Sequence, residues 1–87
     1  MLITDAVVHD GYIERLMCFV SESAPILKLR AVRTAEGKYE PIVRDYATSV
    51  ALAVGNIRYV NPKDCLRAAE HIAINFITEN IERVVQL

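Results

Sequence analysis

Residues 45–60 read DYATSVALAVGNIRYV, and the way this stretch folds decides the architecture of the chain. Tyr46, Ala47, Val50, Ala51 and Val54 repeat at helical spacing, and Gly55 follows as a C-terminal stop. The same residues also allow a hairpin, with residues 50–54 as one arm, Gly55-Asn56 as the turn and residues 57–60 as the other arm. The alanines favour a helix, whereas Ile57-Arg58-Tyr59-Val60 favours a strand behind it. A helix followed by a short strand is the expectation.

Downstream the signals are clearer. Asn61 is a good N-cap, Pro62 fits the first helical position and Asp64 complements the dipole in the first turn, so a helix is expected from there to about Val85. Leu66, Ala69, Ala73, Phe76 and Ile77 form its core stripe; Asp64, His71, Asn75, Thr78 and Glu82 form its polar face. Ile74, Ile81 and Val85 lie beside the stripe and widen the apolar arc beyond the ~100° that a surface helix needs.

Upstream, residues 26–46 form a hairpin. Leu27, Leu29 and Ala31 alternate with Lys28, Arg30 and Val32, and Gly37 supplies the positive φ of the turn. Pro41 in the return strand cannot donate a hydrogen bond, which makes that strand an edge or a late starter. Nearer the N-terminus, Ile13, Leu16, Met17 and Val20 repeat at three and four, with Tyr12 and Phe19 beside them. That spacing predicts a helix ending at Ser21-Glu22-Ser23; the rival is a hairpin turning at Asp10-Gly11. The expected fold is therefore a single α+β domain over residues 1–87, ordered helix, β-hairpin, helix and strand, long C-terminal helix. An all-α bundle is the runner-up.

Composition narrows the function classes. The chain has 87 residues, 53% of them hydrophobic, with ten basic and eleven acidic residues and a net charge of -1. One core is the limit at this length, and the charge balance argues against broad phosphate neutralisation. The N-terminus, MLITDAVVHDG, lacks the positive start and apolar stretch of a secretory signal. The longest charge-free run, residues 46–57, is too short to span a bilayer. Together with two cysteines, Cys18 and Cys65, read as reduced thiols buried in helical stretches, this suggests a cytoplasmic protein without a membrane segment. A disulfide between them would join the two ends of the chain, but spacing alone does not establish one.

Chemistry-bearing motifs are missing. His9, Cys18, Cys65 and His71 are dispersed, with no CxxC, no HExxH and no ligand pair at i,i+4, so no metal is expected. Gly11, Gly37 and Gly55 are too far apart for a phosphate-cradling loop, and no nucleotide cofactor is implied. No strained turn presents a nucleophile to either histidine, and a pocket of about 300 Å³ or more would strain so small a domain. No catalytic residue is assigned, and a non-enzyme is expected.

Two partner surfaces remain. Lys28, Arg30, Arg33 and Lys38 gather on or beside the hairpin near Tyr39, and Arg58, Tyr59, Lys63 and Arg67 gather around the start of the last helix. A helix–hairpin–helix order with a basic helix start loosely resembles double-stranded-RNA-binding domains over about half the chain. The lysine pair that family carries before its final helix is absent; only Lys63 stands there, followed by Asp64. Glu36, Glu40 and Asp64 interrupt both basic groups, so nucleic-acid binding through the 28–38 hairpin, by Lys28, Arg30 and Arg33, is the second choice. The first is a protein-interaction domain, homodimeric and meeting a larger partner through Ile74, Ile81 and Val85. Small accessory or inhibitor proteins, including those of phages, fit that description.

Overall fold

The computed structural model describes residues 2–18 and 24–85, with side chains described as far as Asn80. The strands are β1 (Leu2–Ile3), β2 (Val7–His9), β3 (Tyr12–Cys18), β4 (Pro25–Arg33), β5 (Tyr39–Asp45) and β6 (Ala51–Val54); one helix, α1 (Pro62–Val85), follows them. The six strands make a single antiparallel sheet in the order β1-β3-β4-β5-β6, with β2 also on β3. β1 and β2 are two pieces of one edge, since Ile3 pairs with Met17 and Val7 with Glu14, leaving one extra residue between them. α1 lies across one face of the sheet. The class is therefore mixed α+β.

The N-terminal helix expected over Tyr12 to Val20 is a strand as far as Cys18; the rest of it falls outside the described residues. The rival reading is the right one: β2 and β3 form a hairpin, with Gly11 in the left-handed region at φ 85°. β3 is interior, between β1/β2 and β4, so apolar residues occupy both of its sides. Met17 and Ile13 face α1 while Leu16 and Tyr12 face away, and the merged pattern mimics a three-four repeat. With a strand first, the order required by the resemblance to RNA-binding domains is not present.

The helix expected over residues 46–54 is also absent. Asp45 captures Thr48 through its carboxylate, at 2.8 Å to the amide and 2.9 Å to the hydroxyl, and the Asp45 amide donates to the Val50 carbonyl at 2.9 Å. This turn sends residues 51–54 back along β5 as β6. The alanines are strand residues here because pairing β5 and packing Leu52 and Ala53 on the core outweigh intrinsic helix preference. Residues 57–60 form no strand; Tyr59 alone bridges Tyr39.

The central hairpin is as expected, with Gly37 at φ 81°. β5, however, is not an edge. The Pro41 carbonyl accepts from the Gly55 amide, so the missing Pro41 donor points to the same side, where β6 has already ended.

Strand alternation sends Met17, Leu27, Leu29, Ala31, Pro41 and Val43 toward α1, where all are buried. They meet Cys65, Leu66, Ala69 and Ala73, which are buried in their turn. The expected cap is formed, with the Lys63 amide donating to Asn61 Oδ1 at 2.9 Å. The opposite face of the sheet, formed by Tyr12, Glu14, Leu16, Lys28, Arg30, Val32, Glu40, Ile42 and Arg44, has no helix over it among the described residues, and none of these nine is buried.

Candidate functional site

The positions expected to bind partners separate onto opposite sides of the molecule. Ile74 is 43% exposed on the outer side of α1, away from the core stripe. Ile81 and Val85, its companions in the seam, lie outside the described side chains. Lys28 and Arg30 project from β4 onto the open face, while Arg33 sits at the exposed end of that strand.

Arg30 is not a free cation. The Arg33 amide donates to the Gly11 carbonyl, which makes Glu14 and Arg30 a non-hydrogen-bonded pair, the geometry that brings side chains closest. Arg30 Nε donates to Glu14 Oε2 at 2.6 Å, and its guanidinium covers the Tyr12 ring at 4.3 Å. His9 stacks on that same ring at 4.7 Å. Charge and aromatic surface are satisfied internally.

Lys28 has a different neighbourhood, one the sequence reading missed. The register sets it directly opposite Arg44, like charge against like charge. Both turn to Ser49: Lys28 Nζ donates to its hydroxyl and Arg44 Nη1 to its carbonyl, each at 2.8 Å. Arg44 Nε is buried without an acceptor. Tyr46 flanks the group, its ring centroid 5.6 Å from Lys28 Nζ. The closest carboxylate in this turn, Asp45, is held below its ordinary value first by the Thr48 amide and hydroxyl, with a smaller contribution from Lys28. A signal for the arrangement was present. Thr34 and Lys38 close the Gly37 turn, and counting back from that pair sets Lys28 against Arg44.

A second feature is a groove of about 620 Å³ between residues 55–59 and the first turns of α1. It is larger than expected for so small a domain, and it is an open trough rather than an enclosed pocket. Pro41, Ile57 and Ile72 supply apolar walls, and Asp64, Arg67 and His71 line the helix side. Gly55 makes the close approach at its base, since a Cβ there would stand 2.6 Å from Pro41 Cγ. Exposed Ile57 lines the groove, and exposed Val54 and Val60 are next in sequence to its lining residues Gly55 and Tyr59. Of the nine large exposed apolar residues among those described, Tyr46 and Val50 lie in the turn before β6, Val54 ends β6, and Ile57 and Val60 lie between β6 and α1.

Among the described residues, no three of His, Cys, Asp and Glu gather in a way that could hold a metal ion. Cys18 and Cys65 are free and buried, as the sequence suggests, although Cys18 ends a strand rather than lying in a helix. Burial pushes the Cys65 thiol up to about 11, with the Glu40 carboxylate adding to the rise. It is thus a packing group at neutral pH. Among the described residues no helix is long and apolar enough to cross a membrane. Comparison with protein-family models, curated proteins and solved structures finds no match for this chain.

Proposed function

We propose that this is a non-enzymatic protein-interaction domain, a small accessory or inhibitor protein that meets a larger partner along the segment between β6 and α1. The observation that carries the reading is an open, largely apolar groove lined by exposed Ile57, with exposed Val54 and Val60 next in sequence to its lining residues Gly55 and Tyr59. Apolar side chains gathered around one concave surface mark contact sites more reliably than the same residues scattered singly. The charged groups on the helix wall, Asp64, Arg67 and His71, would set orientation by polar contacts at the rim.

The test uses Ile57→Asp and Val60→Asp, whose parent side chains are 63% and 80% exposed and support no core. A partner captured from the native host is purified and titrated against each variant. Affinity should fall at least about tenfold with little change in melting temperature. Unchanged affinity in both variants removes this surface from the function.

Nucleic-acid binding through the 28–38 hairpin is the second reading, favoured by the placement of Lys28 and Arg30 on the open sheet face with Arg44. It is weakened by Glu14, which neutralises Arg30, and by Arg33 and Lys38, which lie at the hairpin tip.

A further inference from the structure

We propose that Lys28, Arg44 and Ser49 form a receptor for one oxyanion, a phosphate group, on the open face of the sheet. The proposal does not rest on the protein-partner reading, whose surface is centred on Ile57 and Val60.

Three unfavourable features coincide at this point. Lys28 and Arg44 are directly opposed cations, an arrangement that destabilises a sheet when nothing lies between them. Neither belongs to the ion pairs formed among the described residues, which are Arg30 with Glu14 and Arg58 with Glu40. Asp45, the neighbouring carboxylate, accepts from Thr48 twice. Next, Arg44 Nε is a buried donor with no acceptor; buried donors are nearly always paired, and an orphan points to a missing water or ion. Last, Ser49 holds φ 62°, the single non-glycine residue in the left-handed region among those described. Strain of this kind gathers at ligand clamps. One anion between the cations relieves the first and gives the third a purpose, while the enclosed Nε shows how far the Arg44 guanidinium is already desolvated.

The donors suit a tetrahedral oxyanion. Ser49 Oγ accepts from Lys28 Nζ, which leaves the serine proton free to donate outward. Lys28 retains further N–H groups, and the Arg44 guanidinium retains those not spent on the Ser49 carbonyl. These donors come from β4, β5 and the turn that follows β5. A phosphate offers several acceptor oxygens in three dimensions and a charge that matches two cations; a planar carboxylate offers less of both. The Tyr46 ring beside Lys28 walls one side.

The experiment is an amide-resolved NMR titration of the full chain with inorganic phosphate, at constant ionic strength against sodium chloride. Saturable shifts should centre on Lys28 and residues 44–50. Lys28→Gln and Arg44→Gln should each weaken phosphate binding by about tenfold or more, whereas Lys63→Gln, on α1, should alter it by less than about twofold. In parallel, phosphate should raise the melting temperature of the wild type more than that of Lys28→Gln, which separates site binding from the general stabilisation phosphate gives any protein. Should Arg44→Gln fail to fold, Lys28→Gln decides alone. A short single-stranded oligonucleotide forms a second arm. Tighter binding than inorganic phosphate, with the same dependence on Lys28, assigns the group to a polynucleotide; phosphate binding alone assigns it to a small molecule, and both uphold the receptor. Shifts that do not saturate, or an affinity unchanged in Lys28→Gln, overturn it.

Discussion

On the side of the sheet that meets α1, Met17, Leu29 and Val43 are wholly enclosed and, among the described residues, no polar one is buried with them. On the other side the same three strands present Glu14, Lys28, Arg30 and Arg44, all partly exposed and engaged in polar contacts. The two faces share backbone and register and differ only in which alternate residue they receive. One is stabilised by removing apolar surface from water, which is non-directional. The other is organised by paired charges and stacked rings, which add little stability but fix directions. Position along the strand thus separates residues that hold the protein together from residues available for recognition.

Truncating each face in turn is the sharpest test of that contrast. Leu29→Ala should cost about 3 kcal/mol, since it opens a cavity between the sheet and α1. Val32→Ala, on the open face of the same strand, should cost less than about 1 kcal/mol. Urea denaturation measures both. Equal losses would break the comparison and show that the open face is covered in solution.

Gly55→Ala probes where the covered face meets the groove. The new methyl would collide with Pro41 Cγ at 2.6 Å and approach Ile72 Cδ1 at 3.0 Å. The proline ring has little freedom to yield, so the expected loss is about 1–2 kcal/mol by overpacking. Wild-type stability in this variant would mean that α1 shifts freely over the sheet.

A double-mutant cycle on Glu14 and Arg30 measures what directed contacts on the open face contribute. The side chains are 15% and 19% exposed, respectively, and touch at 2.6 Å, so the coupling should reach about 0.5–1 kcal/mol and shrink with salt. A coupling of zero would leave the pair with an orienting role only.

The elements legible in the sequence were those whose signals are local. Asn61-Pro62 starts α1 by capping chemistry that needs no tertiary context, and Gly37 fixes the central hairpin through its backbone. The misread elements owe their structure to partners distant in sequence. Leu16 and Met17 face opposite sides of an interior strand, so no clean alternation survives. Residues 51–54 are drawn into a sheet against their composition by β5. The opposed cations follow from a register that couples positions 28 and 44, which composition does not show. The groove was missed for a related reason: its walls come from Pro41, residues 55–59 and α1, and no single window contains them.

The smallest expected effect concerns the turn beside the proposed receptor. Asp45 has its carboxyl held below its ordinary value of 3.8, chiefly by hydrogen bonds from Thr48. A carboxyl whose pKa is lower in the folded than in the unfolded chain adds stability above the unfolded value and loses it as pH falls through the folded one. Asp45→Asn keeps an oxygen for the Thr48 donors but removes the charge. At neutral pH it should melt slightly below the wild type. That gap should close as acid protonates the wild-type carboxyl below pH 3.8, because the two chains then carry the same charge at this position. Melting curves of both proteins from neutral pH to strong acid make the comparison. A gap that persists unchanged into strong acid would show that the charge of Asp45 contributes nothing to holding the turn that carries Ser49.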